Sequence, residues 1–386
     1  MPLLHVGVDA AGWQDRQRPG RFARGIVAAL AARDDLRLTL VADRAAAGQI
    51  TLPPGARLLL LEALSGVRAP MPARGVRVLI EALRRGLVAS RARFDLFFYP
   101  SVSTYAPVLL RTPHVVAVHN AVPERLLSPP AASRHAPLRW SLTVRWALWA
   151  ARRILVPSAV ALRRLGAQFR LPRRKVRVVG EAPDSCFAPL PAERIAAVLR
   201  DYHLPQPYLL VVGGFAPQAD RLTLLRATFR LLHDVPALQL ALVGAPAGDR
   251  FYAEPLKLRV LATALGLAER LRWLGHVSEP DMAALYGGAV AAVFSSLPDG
   301  EELSVVEAAA CGVPIVASDQ CHAADLIAGA RVVPAGNDEA LAAALRPLFD
   351  PERRRDLGDQ LRRQAAAYRW EETAARAAAV FREAAQ

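Results

Sequence analysis

Short apolar runs alternate with amphipathic segments along nearly the whole chain. Leu3 to Val8, Leu36 to Val41, Ala56 to Leu61, Phe94 to Tyr99, Val115 to Val118, Ile154 to Val156 and Lys175 to Val179 read as buried strands. Between them, helical spacing appears from Arg21 (Phe22, Ile26, Val27 and Leu30 on one face), at Val76 to Leu87, Arg139 to Arg153 and Ala159 to Phe169. The alternation resumes after residue 190. Strands are expected at Tyr208 to Val212, Leu238 to Val243, Leu271 to Leu274, Ala289 to Phe294, Pro314 to Ala317 and Arg331 to Val333, and helical spacing follows each of them except Pro314 to Ala317. Strand–helix alternation of this kind predicts an α/β chain with parallel sheets.

At 386 residues the chain is long for one core, and the pattern divides into two halves. We expect two Rossmann-like parallel-sheet domains facing across a cleft, residues 1–185 and 186–368. A terminal helix, 369–386, is expected to pack back on the first domain.

Composition narrows the class. The chain is 53% hydrophobic and 22% charged, and no run of about 18 apolar residues occurs. The first residues read as a strand rather than a leader. Cys186, Cys311 and Cys321 are too scattered for a metal or disulfide pattern, so packing roles, no metal and a reducing, cytoplasmic setting are expected. The formal charge of +14 favours anionic partners. No zinc-finger spacing or aromatic sheet motif points to nucleic acid. Trp140, Trp146 and Trp149 stand among arginines on one helix, a pattern that suits either packing on the sheet or a membrane interface.

Candidate chemistry lies where strands end and helices begin, because parallel sheets place ligands there. Asp299 and Glu307 bracket one such junction, with Gly300, Leu303 and Ser304 between them. Two acids there suit the hydroxyls of a sugar or ribose. Gly213 and Gly214 follow one strand, and Gly244 follows the next. Gly20 and Arg21 open the first helix, where free N–H groups suit a phosphate. His119 and Asn120 follow a buried strand directly.

Taken together, GVDA at Gly7, PGRFAR at Pro19 to Arg24, His119-Asn120, VVGEAPDSCF, YLLVVGGFAP, RLRWLGHVSEPDMAALYGGA and Asp299 to Pro314 form an ordered set. The chain thereby resembles the retaining glycosyltransferases of family 4, which have the glycosyltransferase-B fold. The resemblance implies transfer of a hexose, mannose or glucose type, from a nucleoside diphosphate sugar to a saccharide or lipid-linked acceptor, as in polysaccharide biosynthesis. It implies no cofactor beyond that substrate. His119, Asp299 and Glu307 would be catalytic, and Gly20, Arg21 and Asn120 would face acceptor and phosphate. Gly213, Gly214, Gly244, Gly300, Leu303, Ser304 and Glu307 would hold the donor. The protein would work in the cytoplasm, peripherally at the inner membrane face.

The chain departs from the family pattern at its phosphate clamp. Gln218, Ala219 and Asp220 stand where the family has a basic pair, with Arg221 next. Glu301 and Glu302 replace a Phe-Gly pair, Asp299 replaces a glutamate and Ser304 a proline. These changes leave a second reading open: a catalytically degenerate scaffold or saccharide-binding partner of another glycosyltransferase.

Overall fold

A computed structural model describes residues 3–13, 18–44, 48, 50–61, 92–105, 112–119, 136–213, 220–244, 253–295 and 302–386. The expected helix at Val76 to Leu87 and the loop around His135 lie outside them. So do Asn120, Gly214, Gln218, Ala219, Asp299, Gly300 and Glu301.

The chain divides into two compact units. Unit 1 takes residues 1–125, 132–182 and 369–386, and unit 2 takes 126–131 and 183–368. Unit 1 holds the strands β1 (Leu4–Asp9), β2 (Leu36–Asp43), β3 (Arg57–Leu61), β4 (Leu96–Tyr99), β5 (His114–Ala117), β6 (Arg153–Val156) and β7 (Val176–Val178). Its described helices are α1 (Arg18–Ala31), α2 (Ala136–Ala150) and α3 (Ala159–Gln168). All strand pairs are parallel, in the order β3-β2-β1-β4-β5-β6-β7.

Unit 2 runs α4 (Ala192–Asp201), β8 (Tyr208–Val212), α5 (Arg221–Leu231), β9 (Gln239–Val243), α6 (Ala253–Ala264), β10 (Leu271–Gly275), α7 (Glu279–Gly288) and β11 (Ala291–Phe294). It continues through α8 (Glu302–Ala310), β12 (Ile315–Ser318), α9 (Ala323–Leu326), β13 (Arg331–Val333), α10 (Asp338–Leu345) and α11 (Pro351–Ala365). The sheet order is β10-β9-β8-β11-β12-β13, again parallel. The terminal helix α12 (Trp370–Ala385) belongs to unit 1.

Both sheets are covered on both faces, which is why their strands read as continuous apolar runs rather than alternating ones. In unit 1, α1 and α12 bury Phe22, Ile26, Leu30 and Phe381 against Val8 and Phe98. The opposite face packs Phe97, Tyr99 and Val116 with Leu148 and Leu165. In unit 2, α4, α7, α8 and α11 cover one face, and α5, α6 and α10 cover the other. Gly7 has a packing reason: a Cβ there would lie 2.6 Å from the Phe94 ring.

In each sheet the strand order reverses direction at one place, between β1 and β4 and between β8 and β11. Such switch points open a crevice at the carboxyl ends of the strands, where ligands of this fold type bind.

Candidate functional site

At the switch point of unit 2, β11 ends at Phe294, the buried Ser295 follows and α8 begins at Glu302. Leu303, Val305, Val306, Ala308 and Ala309 are all buried, so α8 lies hard against the sheet. Glu307 shares that wall. It is 1% exposed and engaged by neighbouring groups. A carboxyl group so far from water is retained only where partners satisfy it. The Tyr286 hydroxyl donates to the Ser304 carbonyl at 3.3 Å and fixes the first turn of α8. Gly312 ends the helix in the left-handed region, with its N–H on Ala309 O and that of Val313 on Ala308 O.

Glu307 makes itself felt on two thiols. Burial, then Asp184, Glu279 and Glu307, push Cys186 up to about 12. Burial and then Glu307 raise Cys311 as well. Both cysteines therefore stay protonated at neutral pH. Asp184, Cys186 and Glu279 bring their ligating atoms within 4.8 Å of one another, and the Asp184 carboxylate accepts from the Cys186 N–H at 3.0 Å.

The strand-end glycines offer less than their position implies. Gly213 and Gly244 both have positive φ, 122° and 134°. The Gly213 N–H is bonded to Val243 O at 3.1 Å, and the Gly244 N–H to Gly275 O at 2.9 Å. What these residues provide is a turn and an absent side chain, with the amides already committed to neighbouring strand ends.

Arg221 lies just past the positions that depart from the family pattern. It opens α5, is buried at 6% exposure and directs Nη2 toward the Val212 carbonyl at 3.5 Å. A guanidinium thus stands at the carboxyl end of β8. Asp220 before it adopts a left-handed conformation and accepts from the Gly336 N–H at 3.2 Å, tying the start of α5 to the loop after β13.

In unit 1 the switch point is marked by Asp9 at the end of β1 and Pro100 after β4. His119, two residues past β5, reaches across to this place. Its Nε2 lies 2.8 Å from Pro100 O, and a carbonyl only accepts, so Nε2 carries a proton. In a neutral ring Nδ1 is then the acceptor nitrogen. Phe22 packs edge-on against the ring at 4.5 Å. The imidazole is 6% exposed and held in place. Helix α1 starts at Arg18, earlier than the sequence pattern implies, so Gly20 is its third residue and still in the turn whose N–H groups lack intrahelical partners. Arg21 is half-buried beside it. Arg24 Nη1 donates to Trp13 O at 2.7 Å and so serves the fold.

The structure therefore describes His119, Gly20 and Arg21 in unit 1, and Gly213, Gly244, Leu303, Ser304 and Glu307 in unit 2. Two features escaped the sequence reading. The Pro100 carbonyl anchors His119, and no side-chain pattern marks a backbone carbonyl. Ser295 and Ser318, buried at adjacent strand ends, had one available signal: each is the first polar residue after an apolar run.

Residues 206–350 match the family model described as "Glycosyl transferases group 1". The match covers the strand ends, Arg221 and Glu307. The chain is 36% identical over 181 residues to D-inositol 3-phosphate glycosyltransferase 2 of Catenulispora acidiphila, covering 45% of this chain and 42% of that protein. It is 31% identical over 250 residues to the D-inositol 3-phosphate glycosyltransferase of Thermobispora bispora, covering 60% and 56%. The chain thus spans about half the length of the curated relatives it matches.

Among solved structures, sucrose-phosphate synthase from Thermosynechococcus elongatus superposes with a TM-score of 0.73 at 20% identity, over 98% of both chains. The Anabaena HepE protein in complex with UDP-glucose gives 0.72 at 16% identity, over 98% of this chain and all (100%) of that one. These likenesses show the fold: two Rossmann-like parallel-sheet units of the glycosyltransferase-B type.

Proposed function

We propose that the chain is a retaining glycosyltransferase that moves a hexose, mannose or glucose type, from a nucleoside diphosphate sugar to a saccharide or lipid-linked acceptor. It works in the cytoplasm, in peripheral contact with the inner membrane face. One observation carries this reading: Glu307 is 1% exposed on α8, one turn past Leu303, beside a switch point and inside the segment that matches the family model. Burying a carboxyl there is costly for the fold and useful for holding a ribose. The named relatives act on D-inositol 3-phosphate, and HepE was captured with UDP-glucose, which supports a phosphorylated polyol or saccharide as acceptor and UDP-glucose as a first donor to test.

In this reading Glu307 accepts from the ribose hydroxyls. The N–H groups at the start of α8, at Leu303 and Ser304 after Asp299 and Gly300, and the Arg221 guanidinium face the diphosphate. Gly213 and Gly244 leave room for it, and Gly214 is assigned to the donor side with them. Gly20, Arg21 and Asn120 serve the acceptor side, and His119 positions a sugar hydroxyl through Nδ1. The glycosidic bond to the diphosphate breaks as the acceptor oxygen bonds to the same face of the anomeric carbon. The acceptor proton passes to the departing diphosphate oxygen, so no carboxylate nucleophile is required. Stabilising charge on that leaving group is the main catalytic term.

Gln218 and Ala219 in place of the basic pair favour the second reading, a scaffold or saccharide-binding partner. Titration calorimetry with UDP- and GDP-sugars separates the two. The transferase reading expects micromolar donor binding and donor turnover, both reduced at least about 100-fold by Glu307→Ala, which removes a buried hydrogen-bonding carboxyl group. Absence of binding to every donor by the unaltered protein leaves the scaffold.

A further inference from the structure

Residues 136–180 hold eleven Lys/Arg and no Asp or Glu. They form α2, β6, α3, a 3-10 turn at Arg173–Lys175 and β7. The inner side of α2 is ordinary core, with Val144, Ala147 and Leu148 buried. Its outer side is not. Trp146 is 49% exposed and Trp149 76% exposed, which overturns packing on the sheet as the role for these two side chains. Their rings meet edge to face, 6.2 Å apart at 73°, one turn from the end of the helix. Each indole shields one edge of the other and leaves the rest in water. That is an expensive surface for a protein to keep bare.

One cation, Lys175, meets the helix end beside the pair, and others are its neighbours in the chain or in the same turn as that lysine. Lys175 Nζ donates to the Trp149 carbonyl at 2.5 Å, so an ammonium stands at the end of α2. Arg173 and Arg174 in the same turn are exposed, as is Arg152 just past the helix. Arg153 and Arg177 differ from these: both are bound to Glu383, at 2.9 and 2.8 Å, and are spent on holding α12. Arg145 lies 5.9 Å over the Phe169 ring. Glu383 of α12 is thus neutralised, and residues 136–180 themselves carry charge of one sign.

The geometry points to a docking surface for an anionic bilayer, with Trp146 and Trp149 seated at the headgroup boundary and Arg152, Arg173, Arg174 and Lys175 on the lipid phosphates. Indoles prefer that boundary because one part of the ring is apolar and its N–H is wet. Cations there gain from the negative surface potential of the leaflet. The inference deepens the proposed reading, since it places the lipid contact on unit 1 and names its residues. Among the described residues no helix is long and apolar enough to cross a membrane, so the attachment is to the surface.

The test is co-sedimentation of the full chain with vesicles of phosphatidylcholine mixed with phosphatidylglycerol, and with phosphatidylcholine alone. The chain is expected to sediment with the mixed vesicles only, with a blue shift of tryptophan emission that added salt reverses. Trp146→Ala combined with Trp149→Ala should remove most of that shift and weaken binding at least about tenfold. Arg173→Gln combined with Arg174→Gln, on an exposed turn where folding is not at stake, should weaken it about fivefold per charge. Binding of the double tryptophan variant at the unaltered level overturns the surface, as does equal binding to both vesicle types. A chain that binds UDP-glucose in calorimetry but ignores anionic vesicles refutes the docking surface and leaves the transferase reading standing. Vesicle binding through these residues without nucleotide-sugar binding does the opposite.

Discussion

Units 1 and 2 are built on one strand order and carry opposite charge. Residues 1–182 and 369–386 hold 32 Lys/Arg against 13 Asp/Glu, a formal +19, whereas residues 183–368 hold 17 against 22, a formal −5. The +14 of the whole chain is therefore a property of unit 1. Sheet order and core packing do not require this difference, because the charged residues lie mostly outside the cores. It bears on partners instead. Unit 1 attracts anions at long range and in a salt-dependent way. Unit 2 has no such field, so under the proposed function a diphosphate there would depend on a few placed groups, and Arg221 stands at the end of β8.

The largest effect that separates the units is expected at Gly358 on α11. A Cβ there would come within 2.0 Å of the Gly312 carbonyl oxygen, a backbone atom that cannot swing aside. Gly312 is itself fixed by the hydrogen bonds that end α8. Gly358→Ala should cost about 3 kcal/mol or more by denaturant melting, through overpacking between α8 and α11. Because α8 carries Glu307, donor affinity should fall with it. An unchanged melting midpoint would show that the two helices are not in this close approach.

Next comes Arg221. Arg221→Gln keeps the length of the side chain roughly and removes its charge. Donor affinity should fall between about 10- and 100-fold, the usual worth of a charged hydrogen bond. Vesicle binding should not move, because that surface is on unit 1. If donor affinity is unaffected, the guanidinium serves the fold alone, and unit 2 holds diphosphate by other groups or not at all.

These two predictions rest on features with unequal visibility in the sequence. Strands were legible because burial on both faces leaves little but Val, Leu, Ile, Ala and Phe: Tyr208–Val212 and Arg331–Val333 occur with the expected bounds. Element ends were less legible. Helix α1 begins at Arg18 rather than Arg21, since its first turn carries no apolar signal and its Pro-Gly pair looks like a loop. The short α9, Ala323–Leu326, has too few residues to show a period. At the site, Glu307 stood out because, with Asp299, it brackets a strand–helix junction where parallel sheets place ligands. The exposure of Trp146 and Trp149 did not, because tryptophan and arginine at helical spacing fit a buried face and a membrane face equally well. The fate of the Gly213 and Gly244 amides depends on which neighbouring strand end they meet, and that is a matter of register.

The smallest expected effect concerns how unit 1 spends its surplus cations. Asp35, at the end of the loop into β2, is paired with Arg33 at 2.7 Å and more closely with Arg382 of α12. Glu383, the next residue on that helix, takes Arg153 and Arg177. Hydrogen bonding from Arg33 first, and from Arg382, holds the Asp35 carboxyl below its ordinary 3.8. Arg153 first, and Arg177, do the same for Glu383 below its ordinary 4.5. Both carboxyls are partly exposed, so the pairs are screened, and each is worth about 1 kcal/mol or less. A carboxyl depressed in the folded state stabilises above its unfolded value and loses that contribution as pH falls through the folded one. Asp35→Asn should therefore cost about 1 kcal/mol at pH 7, and the gap to the unaltered protein should close as pH falls from about 4 downward. No counterpart is expected from the same kind of substitution at Asp359, where the pair with Arg362 is about half exposed and ties no second element. A constant gap for Asp35→Asn across that pH range would mean that its loss is one of packing, and that Arg382 of α12 is held by something other than the Asp35 charge.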